Sequence, residues 1–429
     1  MWSGVKFGKL LILNTILVSI AAPARLRADV TLLLEEPYSY DGGFAGTGHS
    51  AVYLSRVCAQ TPISLRRCDA GETGVVISRY HHVAGRDWIA VPLISYLYAV
   101  KTPDDIPLYA NAKLVGFLRR EYVRENLPDE LAKLGSRSAL NQLAGSAYDR
   151  TLYGFRIATR PEQDDELIRV LNSSLNQEAY KLLNRNCADF VKQLINFYYP
   201  KAIHRSVIAD LGVMTPKQAA KTLVHTAKHH PEMQLTTFII PQVPGLKRSK
   251  PVHGVIESVV LAKKYVTPVL LFHPVLVGTV ELAYWTGWRF NPGKDALVYD
   301  PVSGLDTPMT TAERKAYEKT VVALKQEIGE SVPDWQKLVA SAEPEVDASG
   351  QPFLRISTNN GTAQLGLCRS NAMRLTAPPE FVQGLLLTRL EQELKQGKSS
   401  RISLAQIKSD WKLLEAATQE RQASLNPEQ

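Results

Sequence analysis

Along this chain apolar positions recur with two different periods. Residues 49–57 (His-Ser-Ala-Val-Tyr-Leu-Ser-Arg-Val) alternate and are apolar enough for a strand buried on at least one face. Residues 187–199 instead set Phe190, Val191, Leu194, Ile195 and Tyr198 on one helical stripe, and Pro200 stops the helix. Around these two segments the pattern predicts strands over 30–34, 74–80 and 152–158 and an extended stretch over 87–100. It predicts helices over 111–126 and 138–148, and a further helix that opens at Pro161 and carries Leu167, Val170, Leu171 and Leu175. Asn186 is a good N-cap for the helix that begins at Cys187. Strands and helices mix without strict strand–helix–strand alternation, which predicts the α+β class.

Past position 235 the pattern changes. Residues 236–252 turn proline-rich and basic (Pro241, Pro244, Lys247, Arg248, Lys250, Pro251) and read as a linker. Tyr265 to Trp285 is mostly Val and Leu but carries Pro268, His273, Pro274 and Glu281. Two prolines and two polar side chains are costly in lipid, so a buried or surface-lying segment is expected over a membrane span. One or two helices over 310–342, a hairpin over 353–367 with Asn360-Gly361 at its tip, and helices over 378–396 and 403–422 follow. The expected organisation is a domain at 29–235, a linker and hydrophobic segment at 236–300, and a mainly helical C-terminal region at 301–429.

Composition adds a compartment. The 429 residues are 45% hydrophobic and 21% charged, an ordinary globular balance, with a formal net charge of +8 that suits anionic surfaces such as phospholipid head groups or cell-wall polymers. No Lys/Arg block is interleaved with aromatics in a reader motif, so nucleic acid is not an expected partner. Residues 1–28 read as a secretory signal, with Lys6 and Lys9 basic, Leu10 to Ala22 apolar and Ala22-Pro23-Ala24 an exit site. Export makes the four cysteines meaningful. Cys58 ends the histidine strand and Cys68 begins the next extended run, so a disulfide there would staple the hairpin 49–80. Cys187 would then stay free and Cys368 unpaired; a bridge between those two is the competing arrangement.

The candidate chemistry lies in the same two segments that opened the pattern. A thiol in the first turn of a helix sits at the positive end of the helix dipole, which favours thiolate. A histidine on a neighbouring strand can take its proton, so Cys187 and His49 form a candidate nucleophilic pair. The backbone N–H of Cys187 would help to hold an oxyanion. His225 and His229 have metal-ligand spacing on a helix, with His230 adjacent, but no Glu completes a zinc-hydrolase motif, and a solvated helix end is the simpler reading. The acidic run Asp164-Asp165-Glu166 lies in a first helical turn, where dipole compensation accounts for it. The glycines of 41–48 enter a strand, not a helix, and read as a flexible loop that admits a substrate to His49.

Gly48-His49-Ser50-Ala51-Val52-Tyr53-Leu54 and Asn186-Cys187-Ala188-Asp189-Phe190, in that order, resemble the circularly permuted papain-like hydrolases. These include permuted NlpC-type proteins and the lecithin:retinol acyltransferase-like group. The resemblance covers roughly residues 30–235. It implies a small antiparallel sheet packed on a cysteine-bearing helix, with His49 as general base, Cys187 as nucleophile and an orienting residue on the next strand. That strand offers Ser78, with Tyr80, His81 and His82 close behind and Asp87 a further candidate. If Cys58 pairs opposite Cys68, His49 falls opposite Ile77 and Ser78 faces away, unless a one-residue bulge intervenes. The implied activity is a thioester-forming hydrolase or acyltransferase acting on peptidoglycan peptide amides or lipid acyl esters, without metal or cofactor. The hydrophobic segment 265–285 suits contact with a membrane surface. A non-catalytic envelope protein that keeps the fold is the other class of reading.

Overall fold

The computed structural model describes residues 28–40, 43–45, 48–80, 86–127, 143–177, 180–205, 213–247, 249, 275, 290–328, 335–348, 352–358, 361–366, 379–396 and 402–425. The expected signal sequence (apart from residue 28), His81, His82, Cys368, Asn360 and nearly all of 265–285 lie outside the described residues.

An eight-stranded sheet organises the molecule. In chain order its strands are β1 (Ala28–Glu35), β2 (His49–Leu54), β3 (Val75–Ser78), β4 (Ile89–Pro92), β5 (Leu152–Thr159), β6 (Thr236–Ile240), β7 (Leu297–Asp300) and β8 (Gly304–Asp306). Their spatial order is β8-β7-β6-β5-β1-β2-β3-β4, and every pair is antiparallel except β6–β7. β1 is central and buried almost throughout, which is why Val-Thr-Leu-Leu-Leu shows no alternation.

Helices cover both faces. The main helices of the first 235 residues are α1 (Leu93–Tyr98), α2 (Ala112–Asn126), α3 (Pro161–Ser173), α4 (Cys187–Tyr198) and α5 (Pro216–His229). On one face Leu32, Val52 and Ile77 pack with Phe190 and Leu194 of α4 and Leu223 of α5. On the other, Leu33, Ala51 and Val76 pack with α1 and α2. The class is α+β, as the pattern predicts, and the sheet packs on the cysteine-bearing helix, as the resemblance implies, although the sheet is larger than a small one.

Four elements differ from expectation. The histidine strand stops at Leu54, and Val57–Thr61 with Ser64–Arg67 makes a separate hairpin, which the Cys58–Cys68 disulfide staples. Tyr38–Tyr40 and Gly43–Ala45 pair as a short hairpin where an open glycine loop was expected. Residues 87–100 do not run extended: β4 gives way at Pro92 to α1. Residues 236–240, expected within a linker, form β6 and carry the sheet onward to β7 and β8.

The C-terminal region holds α6 (Thr311–Ile328), α7 (Trp335–Ser341), α8 (Pro379–Gln396) and α9 (Leu404–Leu425), at the predicted places. The predicted hairpin is present as Pro352–Thr358 and Gly361–Gly366, with a third strand, Glu343–Val346, beside it. This region docks next to α2. Asn111 Nδ2 donates to the Ala342 carbonyl at 3.3 Å, Arg389 donates to the Leu108 carbonyl, and Gln392 Nε2 donates to the Tyr109 hydroxyl at 2.9 Å.

Candidate active site

His49 opens β2 directly opposite Glu35 of β1. The residue before it must be glycine. Gly48 has φ +78°, and a Cβ there would lie 2.2 Å from the Glu35 carbonyl oxygen. The motif Gly-His is therefore a backbone requirement followed by the candidate functional side chain. On the other side of β2, the pairing runs Val52↔Ile77, Tyr53↔Val76 and Leu54↔Val75. This register differs by three from the one the cysteines suggested, because the disulfide belongs to its own hairpin. An odd shift swaps faces, so Ser78 comes to the His49 face with no bulge.

Ser78 Oγ lies 2.8 Å from His49 Nε2 and 2.8 Å from the Ser50 carbonyl oxygen. A hydroxyl has one proton, and a carbonyl can only accept, so that proton goes to Ser50. Ser78 must then accept from Nε2–H. The imidazole is thus held as the Nε2-protonated tautomer, with Nδ1 bearing the free lone pair. The Tyr80 ring stacks on the imidazole at 5.4 Å between centroids and 22° between planes.

Cys187 is the first residue of α4. Asn186 caps the helix: its Oδ1 accepts from the Asp189 N–H at 3.0 Å while Asp189 receives the Asn186 N–H at 3.3 Å, a capping box. The Asn186 amide also donates to the Leu182 and Met214 carbonyls, both at 2.9 Å, and Arg205 pairs with Asp189 at 2.5 Å. The helix start is consequently clamped from three directions.

The Cys187 sulfur is free and buried, in hydrogen-bonding range of the His49 imidazole. Burial pushes the thiol up, but the His49 charge and hydrogen bond, with the Ser50 backbone N–H, more than offset it and hold the thiol below its ordinary value. With Nε2 committed to Ser78, Nδ1 is the ring nitrogen left for the sulfur. Cys187 and His49 are 7% and 6% exposed, so water reaches the pair sparingly.

Of the other candidates, Asp87 does not orient His49. It receives Arg79 in a bidentate pair at 2.6 and 2.8 Å, and Arg79 in turn sits 5.0 Å from the Phe190 ring centroid. His225 and His229 meet edge to face at 5.2 Å on the exposed last turn of α5. Among the described residues one trio of potential ligands converges, Cys58, Cys68 and Glu72, and its cysteines are already joined to each other. No helix among the described residues is long and apolar enough to cross a membrane. Sequence reading missed the Ser50 backbone N–H as a donor to sulfur and Tyr80 as the ring beneath the imidazole. The adjacency of Ser50 to His49 was the signal for the first; the second needed the register.

No family model matches the chain, and no curated protein matches it. Among solved structures, the crystal structure of a type VI secretion system effector, TseH, is similar over 50% of this chain and 93% of that chain, with 12% identity and a TM-score of 0.24. A likeness that faint says nothing about chemistry.

Proposed function

We propose that this protein is a cysteine-dependent hydrolase or acyltransferase that works through a thioester. The observation that carries the reading is a free, buried Cys187 thiol on the first turn of α4 that interacts with an imidazole whose tautomer Ser78 fixes. Nδ1 of His49 takes the thiol proton, and the thiolate adds to a carbonyl carbon. The oxyanion is received by the Cys187 backbone N–H at the start of α4, which has no intrahelical acceptor. The imidazolium returns the proton to the departing amine or alkoxide as the tetrahedral intermediate collapses. A water or an acceptor hydroxyl, deprotonated by Nδ1, then cleaves the thioester and restores the thiol.

The substrates that fit are amides or esters of cell-envelope material, either peptidoglycan peptides or lipids. The disulfide and the signal-like start of the sequence support export.

Alkylation by iodoacetamide tests the pair. A free thiol titrates near pH 8.5, so at pH 6 an activated Cys187 reacts well ahead of it. His49→Ala should move the midpoint of the rate–pH curve upward and abolish the acid-side advantage. Should wild-type Cys187 react as an ordinary thiol, the protein is a binding module that keeps the fold. Hydrolysis of muropeptides or phospholipids, lost in Cys187→Ala, identifies the bond attacked.

A further inference from the structure

Three leucines stand out on the surface within nine positions that lead into the cysteine helix. Leu175, Leu182 and Leu183 are 85%, 67% and 65% exposed, and among the described residues no aromatic ring is so exposed. Leu182 and Leu183 form the tip of a tight turn closed by Lys181 and Arg185, whose backbones exchange hydrogen bonds at 3.2 and 2.9 Å. Leu175 is anchored beside them. Asn176 is bonded on both sides of its amide to Trp88, and its carbonyl accepts the Asp87 N–H at 3.2 Å, while Arg185 reaches the Asp87 carboxylate at 3.5 Å. The leucines thus project from a base fixed to β4 and to the start of α4.

The charge around this edge is cationic. Arg79 and Arg185 share Asp87, Arg205 pairs with Asp189, and Lys181 is exposed at the foot of the turn. Arg79 is buried, but Arg185 and Arg205 are part-exposed and Lys181 exposed there, within a chain of net charge +8. Aliphatic tips over a basic foot fit the boundary between acyl chains and anionic head groups, where leucines enter the apolar layer and lysine remains at the phosphates. A protein partner fits less well. Tight protein interfaces are anchored by Trp, Tyr and Arg, with Leu under-represented among the residues that matter.

We propose that the edge formed by Leu175, Leu182 and Leu183, with Lys181 at its foot, docks the start of the cysteine helix onto an anionic phospholipid surface. Docking stands apart from the catalytic reading. What rests on that reading is the consequence that the acyl group passing through the Cys187 thioester comes from a membrane lipid ester.

Flotation of the full-length protein with vesicles tests this, using phosphatidylcholine alone and phosphatidylcholine with phosphatidylglycerol. The wild type should float with the anionic vesicles, at least tenfold above the neutral ones, and salt should weaken the binding. Leu182→Asn with Leu183→Asn should lose at least tenfold, and Lys181→Glu should lose severalfold, while Val302→Asn, at an exposed valine in the β7–β8 turn, should change nothing. Leu182→Trp serves if the double variant does not fold: its added fluorescence should be quenched by brominated anionic lipid. Wild type left in the soluble fraction, equal binding to neutral vesicles, undiminished binding of the double variant, or an unquenched tryptophan at position 182 would each overturn the proposal. Failure of the catalytic reading shows elsewhere, as ordinary alkylation of wild-type Cys187 whatever the vesicles do.

Discussion

Ser78 carries more at the residue scale than its size suggests, because where its one proton goes decides what the imidazole can do. Donation to the Ser50 carbonyl leaves an oxygen lone pair for Nε2–H, and Nδ1 is then the base. Ser78→Ala removes that bond and leaves the Ser50 carbonyl without its donor. Turnover should fall by up to about 100-fold, the lower end of what general-base catalysis contributes, and the acid limb of the rate–pH profile should shift as the tautomer loosens. Ser78→Thr, which keeps the hydroxyl, should restore most of the loss. If Ser78→Ala changes KM alone and leaves the pH profile in place, Ser78 does not orient His49. Sequence alone named His49, Cys187 and Ser78 but could bring Ser78 to the His49 face only through a bulge. The error came from taking the two cysteines as a ruler for β2 and β3, whereas the register is set by burial of Val52 against Ile77. Asn186 was legible because capping is local chemistry, readable within four residues. Tyr80 reaches the imidazole from beyond the end of the next strand, and no local pattern announces that.

Between elements, the acidic start of α3 does something that its dipole does not explain. Asp164 is buried and accepts the Tyr198 hydroxyl of α4 at 2.8 Å, which ties the two helices together. Burial is the main cause that pushes its carboxyl up to about 6, against the pull of the Tyr198 bond and Arg67. The folded state therefore holds this proton more tightly than the unfolded chain, whose Asp titrates near 3.9. Stability from this group is complete below about pH 4 and is lost as pH rises to about 6. Asp164→Asn keeps an acceptor for Tyr198 and removes the titration. Between pH 4 and 6 the urea midpoint of the wild type should fall relative to that of the variant, and above pH 6 the variant should be at least as stable. A difference between the two that stays flat from pH 4 to 7 would show that Asp164 titrates normally. The neighbouring elements mark where pattern reading fails physically. Residues 93–98 are buried all round, so Leu-Ile-Ser-Tyr-Leu-Tyr shows neither period, and the helix reads as extended chain.

For the whole molecule, the question is where the unit that carries the candidate site ends. Composition set a boundary at 235, because prolines and lysines follow closely and β6 is only five residues long. Yet β6 covers β5 along Leu152–Arg156, and the Phe238 ring lies where a Cβ on Gly154 would be, at 2.2 Å. After β6 the chain leaves the sheet and returns to pair β7 in parallel, a contact between residues about sixty positions apart that no local signal encodes (Ile239↔Val298). A fragment ending at 235 would therefore bare the β5 edge and the glycine surface beneath Phe238, a template for pairing with other chains. Fragments from 28 to 235 and from 28 to 306, compared with the full chain, measure this. The shorter should be insoluble or aggregated, and the longer, with all eight strands, should be soluble but melt below the full chain. The lower melting point follows because removing α8 strips Leu385, Leu386 and Leu390 from the cluster that also holds α1 and α2. Cooperative urea unfolding of the 28–235 fragment would place the boundary where composition put it and make β6 to β8 an appendage.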